Sequence, residues 1–337
     1  MRILFDISHP AHVNFFKHAI KRININKNHL VFVTCLRRGN LPAIVREEIE
    51  GVDITYIARH RGGILSIIFE ANILKFIILV FFVFSKKIDF GVSVGSFTLG
   101  AALKLRNRPN IQFDDDPESK QNIFFENLTA TKIVSPPLNL YPKGKNIVFN
   151  ALKEWSYLSP RYFNPSNERL KIKGYIFVRE VSTGSLNYIK QNKNIISTFA
   201  DKFPFEIPVI LSLENKKTQN FYPSHWKILQ EPIKDIHSLM YYSKIVVSSG
   251  DSMAREGAML GVPSIYCGIR KMSANNMLID KGILFHKNPN DVPSFIDKIL
   301  QGKIKIKEQI KFRDELYTEW DDVTKFIVTE IEKYNKE

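Results

Sequence analysis

The segment from Lys244 to Tyr266, KIVVSSGDSMAREGAMLGVPSIY, has the residue types and spacing of an anion-binding turn. An apolar, strand-like run leads into Ser248, Ser249 and Gly250, and a helix-forming run follows. Such a turn aims backbone N–H groups and the positive end of a helix away from the carboxyl edge of a sheet, where phosphate is the usual occupant. The serine hydroxyls, including that of Ser252, add donors. We therefore predict a phosphate site at this turn.

Charged residues near the turn fit a nucleotide that carries a sugar. Glu256 lies one helical turn after Ser252, where a carboxylate can accept both hydroxyls of a ribose. Arg179, at the end of an earlier strand, is placed to neutralise a phosphate. We assign Asp251 and Arg255 to the same nucleotide-sugar site. Structural alternatives stay open, because Asp251 and Ser252 are also common helix caps and Glu256 is also a favourable charge at a helix start.

The N-terminal segment FDISHPAHVNFFKH places five polar side chains between the first strand and the first helix: Asp6, Ser8, His9, His12 and Asn14. Ligands bind at this sheet edge in open α/β folds. A histidine near a helix start has a lowered pKa and can act as a neutral general base. We predict His9 as the first candidate for this base and His12 as the second, with Ser8 and Asn14 on the acceptor side. The alternative is that His9 is an exposed loop residue and that His12 only packs or caps the first turn.

A third polar group follows the strand that ends at Phe113, in the motif FDDDPES. Asp114, Asp115 and Asp116 fall at the carboxyl edge of the sheet, where they can orient an acceptor hydroxyl or bind a divalent ion. Charges at a strand end are also often only solvated or capping. We predict Asp115 as catalytic and Asp114 as an acceptor-side residue, and we expect no metal ion and no cofactor.

The elements that must position these residues alternate between β-rich and helical patterns over the first 135 residues. This alternation indicates βαβ units and one doubly wound parallel sheet. Predicted strands are Ile3–Phe5, Leu30–Thr34, Ile54–Tyr56, Gly91–Val94, Asn110–Phe113 and Ile133–Val134, and predicted helices are His12–Arg22, Leu41–Glu50, Ile64–Phe84, Thr98–Leu105 and Ser119–Leu128.

Ser135-Pro136-Pro137 ends this pattern, and a stretch rich in proline and glycine follows. The alternation then restarts with strands predicted at Tyr175–Val178, Pro208–Leu211, Trp226–Leu229, Lys244–Ser248 and Pro263–Tyr266. We predict an α/β protein with a Rossmann-like acceptor-side domain over 1–150, a Rossmann-like nucleotide-binding domain over 165–315, and a closing helical tail over 316–337.

Composition limits the function classes. The chain has 337 residues, 44% of them hydrophobic and 24% charged, which argues against wholesale disorder and against a polytopic membrane protein. A net charge of +14 favours an anionic partner, but no aromatic-basic signature of nucleic-acid binding is present, so we expect none. Two cysteines without metal-ligand spacing and the lack of a secretory signal pattern predict a cytoplasmic protein.

The segment from Ile64 to Phe84 is apolar except for four residues, Ser66, Glu70, Asn72 and Lys75. Its unbroken apolar part is too short to span a bilayer, and Lys75 would be costly at the bilayer centre. We predict a helix that packs on the sheet and exposes apolar surface, flanked by basic residues, as a peripheral contact with the inner face of the plasma membrane. A helix buried entirely in the core is the alternative.

The motif SGDSMAREGAMLGVP resembles the nucleotide-binding segment of GT-B glycosyltransferases, above all of the enzyme that adds N-acetylglucosamine to a lipid-linked peptidoglycan precursor. Gly250, Glu256 and the Gly261-Val262-Pro263 turn match the spacing in that family. The resemblance assigns the ribose to Glu256 and implies a GT-B-like fold with the nucleotide-sugar bound in the cleft between two domains. UDP-N-acetylglucosamine 2-epimerases are similar, with a different glutamate spacing.

Over most of its length the chain resembles domain-of-unknown-function family 354, itself similar to these two enzyme groups. The resemblance rests on DISHPAHVNFFK, FDDDPES, NALKEWSYLSPRYFNP and SSGDSMAREGAMLGVPS. It implies that Glu154, in the third of these stretches, lines the cleft.

Three functions follow as hypotheses. The first is a glycosyltransferase that moves a sugar from a nucleoside-diphosphate donor such as a UDP-sugar to a hydroxyl acceptor, lipid-linked or not, in cell-surface polysaccharide or glycolipid synthesis. The second is an NDP-sugar 2-epimerase or hydrolase, which needs no acceptor. The third is a non-catalytic nucleotide-sugar-binding protein on the same fold.

Overall fold

The computed structural model describes residues 1–26, 28–61, 66–114, 116, 118–138, 145–168, 172–183, 188, 190–230 and 235–335, except for the side chains of Ile67 and Ile68. The chain forms two compact units. The N-terminal unit comprises Met1–Tyr162 and Trp320–Glu337, and the C-terminal unit comprises Phe163–Glu319.

The N-terminal unit is built on a seven-stranded parallel sheet in the order β3-β2-β1-β4-β5-β6-β7. Its strands are β1 (Arg2–Ile7), β2 (Leu30–Arg37), β3 (Asp53–Arg59), β4 (Phe90–Val94), β5 (Asn110–Phe113), β6 (Lys132–Ser135) and β7 (Asn146–Val148). The central strands are buried on both faces, which is why they read as nearly continuous apolar runs.

Helices cover both faces of this sheet. They are α1 (Pro10–Ile25), α2 (Leu41–Glu48), α3 (Lys75–Ser85), α4 (Phe97–Lys104), α5 (Lys120–Thr129) and α6 (Trp155–Leu158). α1 and α2 contact each other, and α3, α4 and α5 form a second contacting row. The chain returns to this unit at its end, because α12 (Val323–Lys333) packs on α1 and α6.

The C-terminal unit is built on a six-stranded parallel sheet in the order β10-β9-β8-β11-β12-β13. Its strands are β8 (Ile176–Glu180), β9 (Val209–Leu213), β10 (Lys227–Ile228), β11 (Ile245–Ser248), β12 (Ser264–Tyr266) and β13 (Leu284–His286), and its α-helices are α7 (Ile236–Tyr241), α8 (Asp251–Met259), α9 (Ser273–Ile279), α10 (Val292–Leu300) and α11 (Gln309–Glu319). Short 3₁₀ segments pack beside its apolar core, including Ile195–Thr198.

Both sheets reverse their strand order at a central pair of strands. In the first sheet β1 pairs with β4, and in the second β8 pairs with β11. Ligands of open α/β sheets bind outside the carboxyl ends of the strands at such a switch point. The turn after β11 is the predicted phosphate site, and the loop after β1 carries His9, so both predicted sites lie at switch points.

The predicted fold class is confirmed: two doubly wound parallel α/β sheets are present. The stretch between the two patterns was predicted to be rich in loops, with no strand or helix named in it, whereas β7 and α6 form there. β13 was also missed. Both missed strands are three residues long.

The predicted helix over Ile64–Phe84 begins outside the described residues, since Ile64 and Leu65 are not described. From Ser66 to Leu74 the backbone is a π-helix, which continues into α3. One side of α3 is buried in the apolar core of the unit and the other side is exposed. The alternative of a fully buried helix is therefore wrong. Among the described residues, no helix is long and apolar enough to cross a membrane.

Candidate functional site

The turn between β11 and α8 holds its shape through two buried serines. The Ser248 hydroxyl donates to the Gly250 carbonyl (2.7 Å) and accepts from the Gly250 N–H (3.0 Å). The Ser249 hydroxyl donates to the Glu180 carboxyl group (2.6 Å) and accepts from the Val181 N–H (2.9 Å). Both hydroxyls therefore hydrogen-bond within the protein, so the part of this turn that can meet an anion is the backbone that follows.

The first turn of α8 supplies that backbone. Gly250 is its N-cap residue, and no side chain in the described part of the chain caps the helix there. The first N–H groups of a helix have no partner inside the helix, and they carry its positive partial charge. Ser252 and Met253 are only half-buried, so this end of the helix is not closed over.

Gly250 is required by a close approach. A Cβ atom built there would lie 2.5 Å from Cγ1 of Val181 and 3.5 Å from the hydroxyl of Tyr188. Real Cβ atoms do not approach other atoms to 2.5 Å, so the loop after β8 packs directly on the glycine backbone. The absence of a side chain at position 250 thus sets the distance between this loop and the start of α8.

Asp251, the acid beside the predicted diphosphate, is fully buried and paired. Its carboxylate accepts from Arg255 (2.9 Å), one helical turn later, and from the hydroxyl of Tyr188. Burial alone would raise the pKa of Asp251, but the Arg255 guanidinium, the Tyr188 hydroxyl and the more distant Arg270 hold it below its usual value. The carboxylate is therefore ionised and its charge is compensated. Arg255, also buried, is fixed on its other side by Asn275 (3.0 Å).

Arg270 is a residue that the sequence reasoning missed. It follows the carboxyl end of β12, the strand beside β11, and its Nη1 lies 3.8 Å from the Asp251 carboxylate. Arg255 and Arg270 both lie near Asp251, so two guanidinium groups face the one carboxylate at the first residue of α8. Its position just after a strand end was the signal available in the sequence.

Glu256 lies close to His237 of α7, with 3.5 Å between Oε2 and Nε2. The glutamate is nearly buried, with 11% of its side chain exposed. The sequence reasoning did not predict this contact between Glu256 and a histidine of the preceding helix. Carboxylate oxygen atoms accept hydrogen bonds from hydroxyl groups, such as those of a ribose.

Arg179 ends β8 with its guanidinium already engaged. It donates to the Ser212 hydroxyl (2.7 Å) and to the Glu214 carboxylate (2.5 Å). Glu214 also accepts from the N–H of Ser182 (2.8 Å), which fixes the pair. A phosphate contact by Arg179 would therefore compete with this ion pair.

In the N-terminal unit, a buried ion pair stabilises the carboxyl end of β1. Asp6 and Lys75 are 2.6 Å apart, and neither side chain is more than 5% exposed. Asp6 also accepts from the hydroxyls of Thr34 (3.0 Å) and Ser96 (2.5 Å), and Lys75 donates to the Ser8 hydroxyl (2.8 Å). The network ties β1, β2, α3 and the loop after β4 together directly below the loop that carries the histidines.

His9 and His12 both lie at the start of α1, with ring centroids 5.9 Å apart. His9 is the N-cap residue, and its Nδ1 accepts from the Ala11 N–H (3.2 Å). Nδ1 of His12 accepts from the Ser8 N–H (3.4 Å). Burial lowers the pKa of His12 well below its usual value, and the charges of His9, Lys153 and other cations lower it further. His12 is therefore neutral, with its hydrogen on Nε2.

The remaining predicted acceptor-side residues lie in the same unit. Asp114 is buried and accepts from the Asp116 N–H (2.8 Å), while Asp115 lies outside the described residues. Glu154 is buried just before α6, and Asn14 is half-buried on α1. No cluster of three metal-ligating side chains occurs among the residues that the structure describes.

The carboxyl edges of the two sheets differ in the chemistry that their residues can perform. The start of α8 offers backbone donors and positive charge to an anion, with Glu256 one turn away. The start of α1 offers imidazole and carboxyl groups around a rigid buried ion pair. Lys75 is the second residue that the sequence reasoning missed, because it occurs inside an apolar run.

Solved structures of the same architecture match nearly the whole length of the chain. S. aureus MnaA in its UDP co-structure is 16% identical and has a TM-score of 0.74, with 99% of this chain and 97% of that chain covered. The UDP-GlcNAc 2-epimerase from Neisseria meningitidis bound to UDP-GlcNAc is 12% identical, with a TM-score of 0.65 and 99% and 100% covered. MurG from Acinetobacter baumannii is 15% identical, with a TM-score of 0.60 and 98% and 99% covered.

These similarities establish the GT-B fold, the fold that glycosyltransferases share with UDP-sugar epimerases. Among curated sequences, an uncharacterized protein of Methanocaldococcus jannaschii is 23% identical over 317 residues, which cover 88% of this chain and 90% of that protein. The model of the family described as "Protein of unknown function (DUF354)" matches residues 150–336, more than half of the chain. The chain therefore belongs to the DUF354 family, as its sequence motifs predicted.

Proposed function

We propose that the protein is a glycosyltransferase that uses a nucleoside-diphosphate sugar as donor. The observation that carries this proposal is the start of α8, which has no side-chain cap in the described part of the chain and lies at the switch point of its sheet. Its amides, with Arg270 nearby, suit the diphosphate of the donor. Two of the GT-B structures named above hold UDP or UDP-GlcNAc, which supports a nucleotide-sugar as the ligand.

The transfer breaks one bond and forms one. The acceptor hydroxyl oxygen attacks the anomeric carbon, the bond from that carbon to the diphosphate oxygen breaks, and the hydroxyl proton goes to a base. The α8 amides and Arg270 stabilise the negative charge that develops on the leaving diphosphate. Glu256 holds the ribose, while Asp251 and Arg255 fix the shape of the turn. Ser249 supports the turn from beneath, Ser252 adds a hydroxyl, and Arg179 contacts phosphate only when Glu214 releases it.

The N-terminal unit supplies the acceptor side in this proposal. His9 is the first candidate for the base and Asp115 is the carboxylate candidate, with Asp114, Asn14, Ser8 and Glu154 positioning the acceptor. The His9 and His12 rings each use Nδ1 as an acceptor from a backbone N–H. The neutral ring then carries its hydrogen on Nε2 and can donate to an acceptor oxygen, and it takes up a proton only when the Nδ1 hydrogen bond opens.

Donor binding is tested by a thermal-shift screen of the whole chain against UDP-, GDP-, dTDP- and CMP-sugars. A ligand that binds only the native state raises the melting temperature. We expect one nucleotide class to do so, and Glu256→Gln to reduce the shift. The matched control is Glu206→Gln, an exposed carboxylate of the same unit. No shift with any nucleotide-sugar, or equal shifts in both variants, would contradict the site.

Transfer and epimerisation are separated by leaving the acceptor out. The donor that binds is incubated with the protein alone and the sugar is followed by NMR. A 2-epimerase inverts C2 without an acceptor and a hydrolase releases free sugar, whereas the proposed transferase leaves the donor intact until a hydroxyl acceptor is added. Conversion in the donor-only sample would favour the epimerase or hydrolase.

A non-catalytic binding protein is distinguished at His9. His9→Asn keeps an N-cap side chain that can accept from the Ala11 N–H but removes the titratable ring. If His9 is the base, this variant binds donor normally and loses turnover. If the protein only binds nucleotide-sugars, His9→Asn changes neither binding nor cellular function.

We also propose that the protein works peripherally at the inner face of the plasma membrane, on a polysaccharide or glycolipid acceptor. The support is the exposed apolar side of the segment 66–85, where Phe69, Ile73, Ile77, Phe81 and Phe84 are between 46% and 72% exposed. Basic residues flank it at both ends, Arg59 and Arg61 before it and Lys86 and Lys87 after it.

A further inference from the structure

A concave site lined by arginines lies at the outer edge of the N-terminal sheet, where β2 and β3 end. The cavity measures about 830 Å³ and is lined by Arg37, Arg46, Arg59, Arg61, His60 and Tyr56. We call it the arginine cavity. It belongs to the N-terminal unit alone, and none of its lining residues was assigned to the nucleotide-sugar site.

A β-bulge brings two of these arginines side by side. The register between β2 and β3 shifts after Leu36, so that Leu36 pairs with Ile57 and Arg37 pairs with Arg59. The skipped residue, Ala58, has a φ of +45°, which is costly for a residue with a side chain. Bulges of this kind recur next to functional sites, where they re-aim a side chain.

Like charges opposite each other on adjacent strands destabilise a sheet. Two features that are unfavourable for the free energy of folding therefore occur at one place, a strained backbone and an Arg37–Arg59 pair. Among the described residues, no carboxylate lines the cavity and no ion pair is found for Arg37, Arg46 or Arg59. Glu70 pairs with Arg61 at 3.6 Å, and that guanidinium is 69% exposed. The positive charge is thus concentrated and largely uncompensated.

Two further polar residues, His60 and Tyr56, line the cavity and hydrogen-bond to its surrounding backbone. His60 is half-buried, with its N–H bound to the Arg37 carbonyl (3.0 Å). The Tyr56 hydroxyl donates to the Pro42 carbonyl (3.3 Å), which joins the first turn of α2 to β3 at the wall of the cavity. An anion bound here would replace the missing countercharge and relieve the repulsion between the arginines.

We propose that the arginine cavity binds a phosphorylated group, with a diphosphate or a pair of phosphates as the best match to its charge. Guanidinium groups bind phosphate oxygens in pairs of parallel hydrogen bonds, and their planar fork suits phosphate better than a lysine does. This site goes beyond the proposed function, since that function requires only the phosphate site at α8. At this site a phosphate-bearing acceptor or a lipid headgroup would bind separately from the donor.

The test measures inorganic pyrophosphate binding to the whole chain by calorimetry. Arg37→Gln/Arg59→Gln removes the paired arginines, and Arg22→Gln/Arg108→Gln removes two exposed arginines elsewhere in the same unit. We expect the first variant to bind about tenfold more weakly or not at all at a site that wild type and control both retain. Equal binding in the two double variants would overturn the proposal.

A second variant keeps the test informative if Arg37→Gln/Arg59→Gln misfolds at the bulge. Arg46 is exposed on α2, away from the paired strands, so Arg46→Gln leaves the bulge intact and should still weaken pyrophosphate binding. Unchanged binding in Arg46→Gln and in a folded Arg37→Gln/Arg59→Gln sinks the proposal. Nucleotide-sugar thermal shifts measured on the same variants should be unchanged, so failure of this site is distinguishable from failure of the α8 site.

Binding to two kinds of vesicle shows whether the phosphate group belongs to a lipid or to a soluble ligand. Phosphatidylcholine vesicles with phosphatidic acid present a phosphomonoester headgroup, and vesicles with phosphatidylserine present a similar negative charge on a phosphodiester. Preference for phosphatidic acid that Arg37→Gln/Arg59→Gln abolishes assigns a lipid phosphate. Binding of pyrophosphate without this preference assigns a soluble phosphorylated ligand. Absence of both contradicts the site.

Discussion

Lys75 is the buried cation on which the carboxyl end of β1 depends. Its partner Asp6 is fully buried, and their separation of 2.6 Å lets one charge compensate the other. Removing one member of a buried pair leaves an uncompensated charge in a low-dielectric environment, whereas removing both can be nearly neutral. The position of the loop that carries His9 therefore depends on Lys75.

We expect Lys75→Met to lower the free energy of unfolding by about 3–5 kcal/mol, because Asp6 is then buried without its cation. In Asp6→Asn/Lys75→Met the amide oxygen can still accept from one of the hydroxyls of Thr34 and Ser96, and the amide nitrogen can donate to the other, so much of this loss should be recovered. Urea unfolding of both variants and the wild type checks the expectation. A double variant as unstable as Lys75→Met alone would show that the loss comes from packing rather than charge.

His18 gives the N-terminal unit a measurable pH dependence. Burial, with Lys17 acting in the same direction, lowers the pKa of His18 from 6.5 to about 4 in the folded protein. Between these two values the unfolded chain binds more protons than the folded one, so stability falls as the pH is lowered from 6.5 towards 4. The loss stays below about 1.4 kcal/mol per pH unit, since solvent screens a half-buried ring.

The matched variant is His18→Phe, which keeps an aromatic ring stacked on Tyr162, where the two centroids lie 4.9 Å apart. Urea unfolding at several pH values should give a shallower fall in stability for His18→Phe than for wild type over this window. Parallel curves for the two proteins would assign the acid sensitivity to other groups.

At the scale of elements, the turn before α8 depends on the lack of a side chain at Gly250. We expect Gly250→Ala to destabilise the C-terminal unit by about 1–3 kcal/mol, because the new methyl group collides with Val181. Val181→Ala removes that neighbour at a half-buried position, so Gly250→Ala/Val181→Ala should regain stability. Urea unfolding measures both. If the double variant gains nothing, the glycine is required for another reason.

Sequence reasoning recovered the elements with strong patterns. All six strands predicted for the first sheet exist, because buried parallel strands are apolar throughout and stand out between helical patterns. β7 was missed because it lies in a stretch rich in proline and glycine, outside the alternation of strands and helices that identified the other short strands. The π-helical start of the segment 66–85 could not be read either, because its apolar residues fit an α-helix equally well.

The sequence indicated where in the fold the candidate residues lie, but it did not indicate what they contact. The turn at Gly250 and the loop at His9 follow strands, and the sheet order places both at switch points. The partners of these residues could not be foreseen: the contact of Asp251 with Tyr188 joins residues far apart in the chain. Lys75 was interpreted from its apolar neighbours, although in the structure it faces Asp6.

At the scale of the whole molecule, the net charge of +14 and one exposed apolar helix side combine into a prediction about membranes. Ile73, Ile77, Phe81 and Phe84 recur every three or four residues and are each at least 46% exposed. A helix that exposes apolar side chains can insert them at the interface of a bilayer, and anionic lipids add attraction of about 1 kcal/mol for each nearby basic residue.

We therefore expect the wild-type protein to float with vesicles of phosphatidylcholine and phosphatidylglycerol, less so in high salt, because salt screens the basic residues. Phe69→Ser/Phe81→Ser should lose most of this binding, while Phe205→Ser, at a 76% exposed phenylalanine of the C-terminal unit, should keep it. Exposed positions tolerate such changes with little effect on stability, so lost flotation reports the surface and not the fold. Equal flotation of all three proteins would mean that charge alone holds the protein to anionic vesicles and that the apolar side of α3 serves another contact.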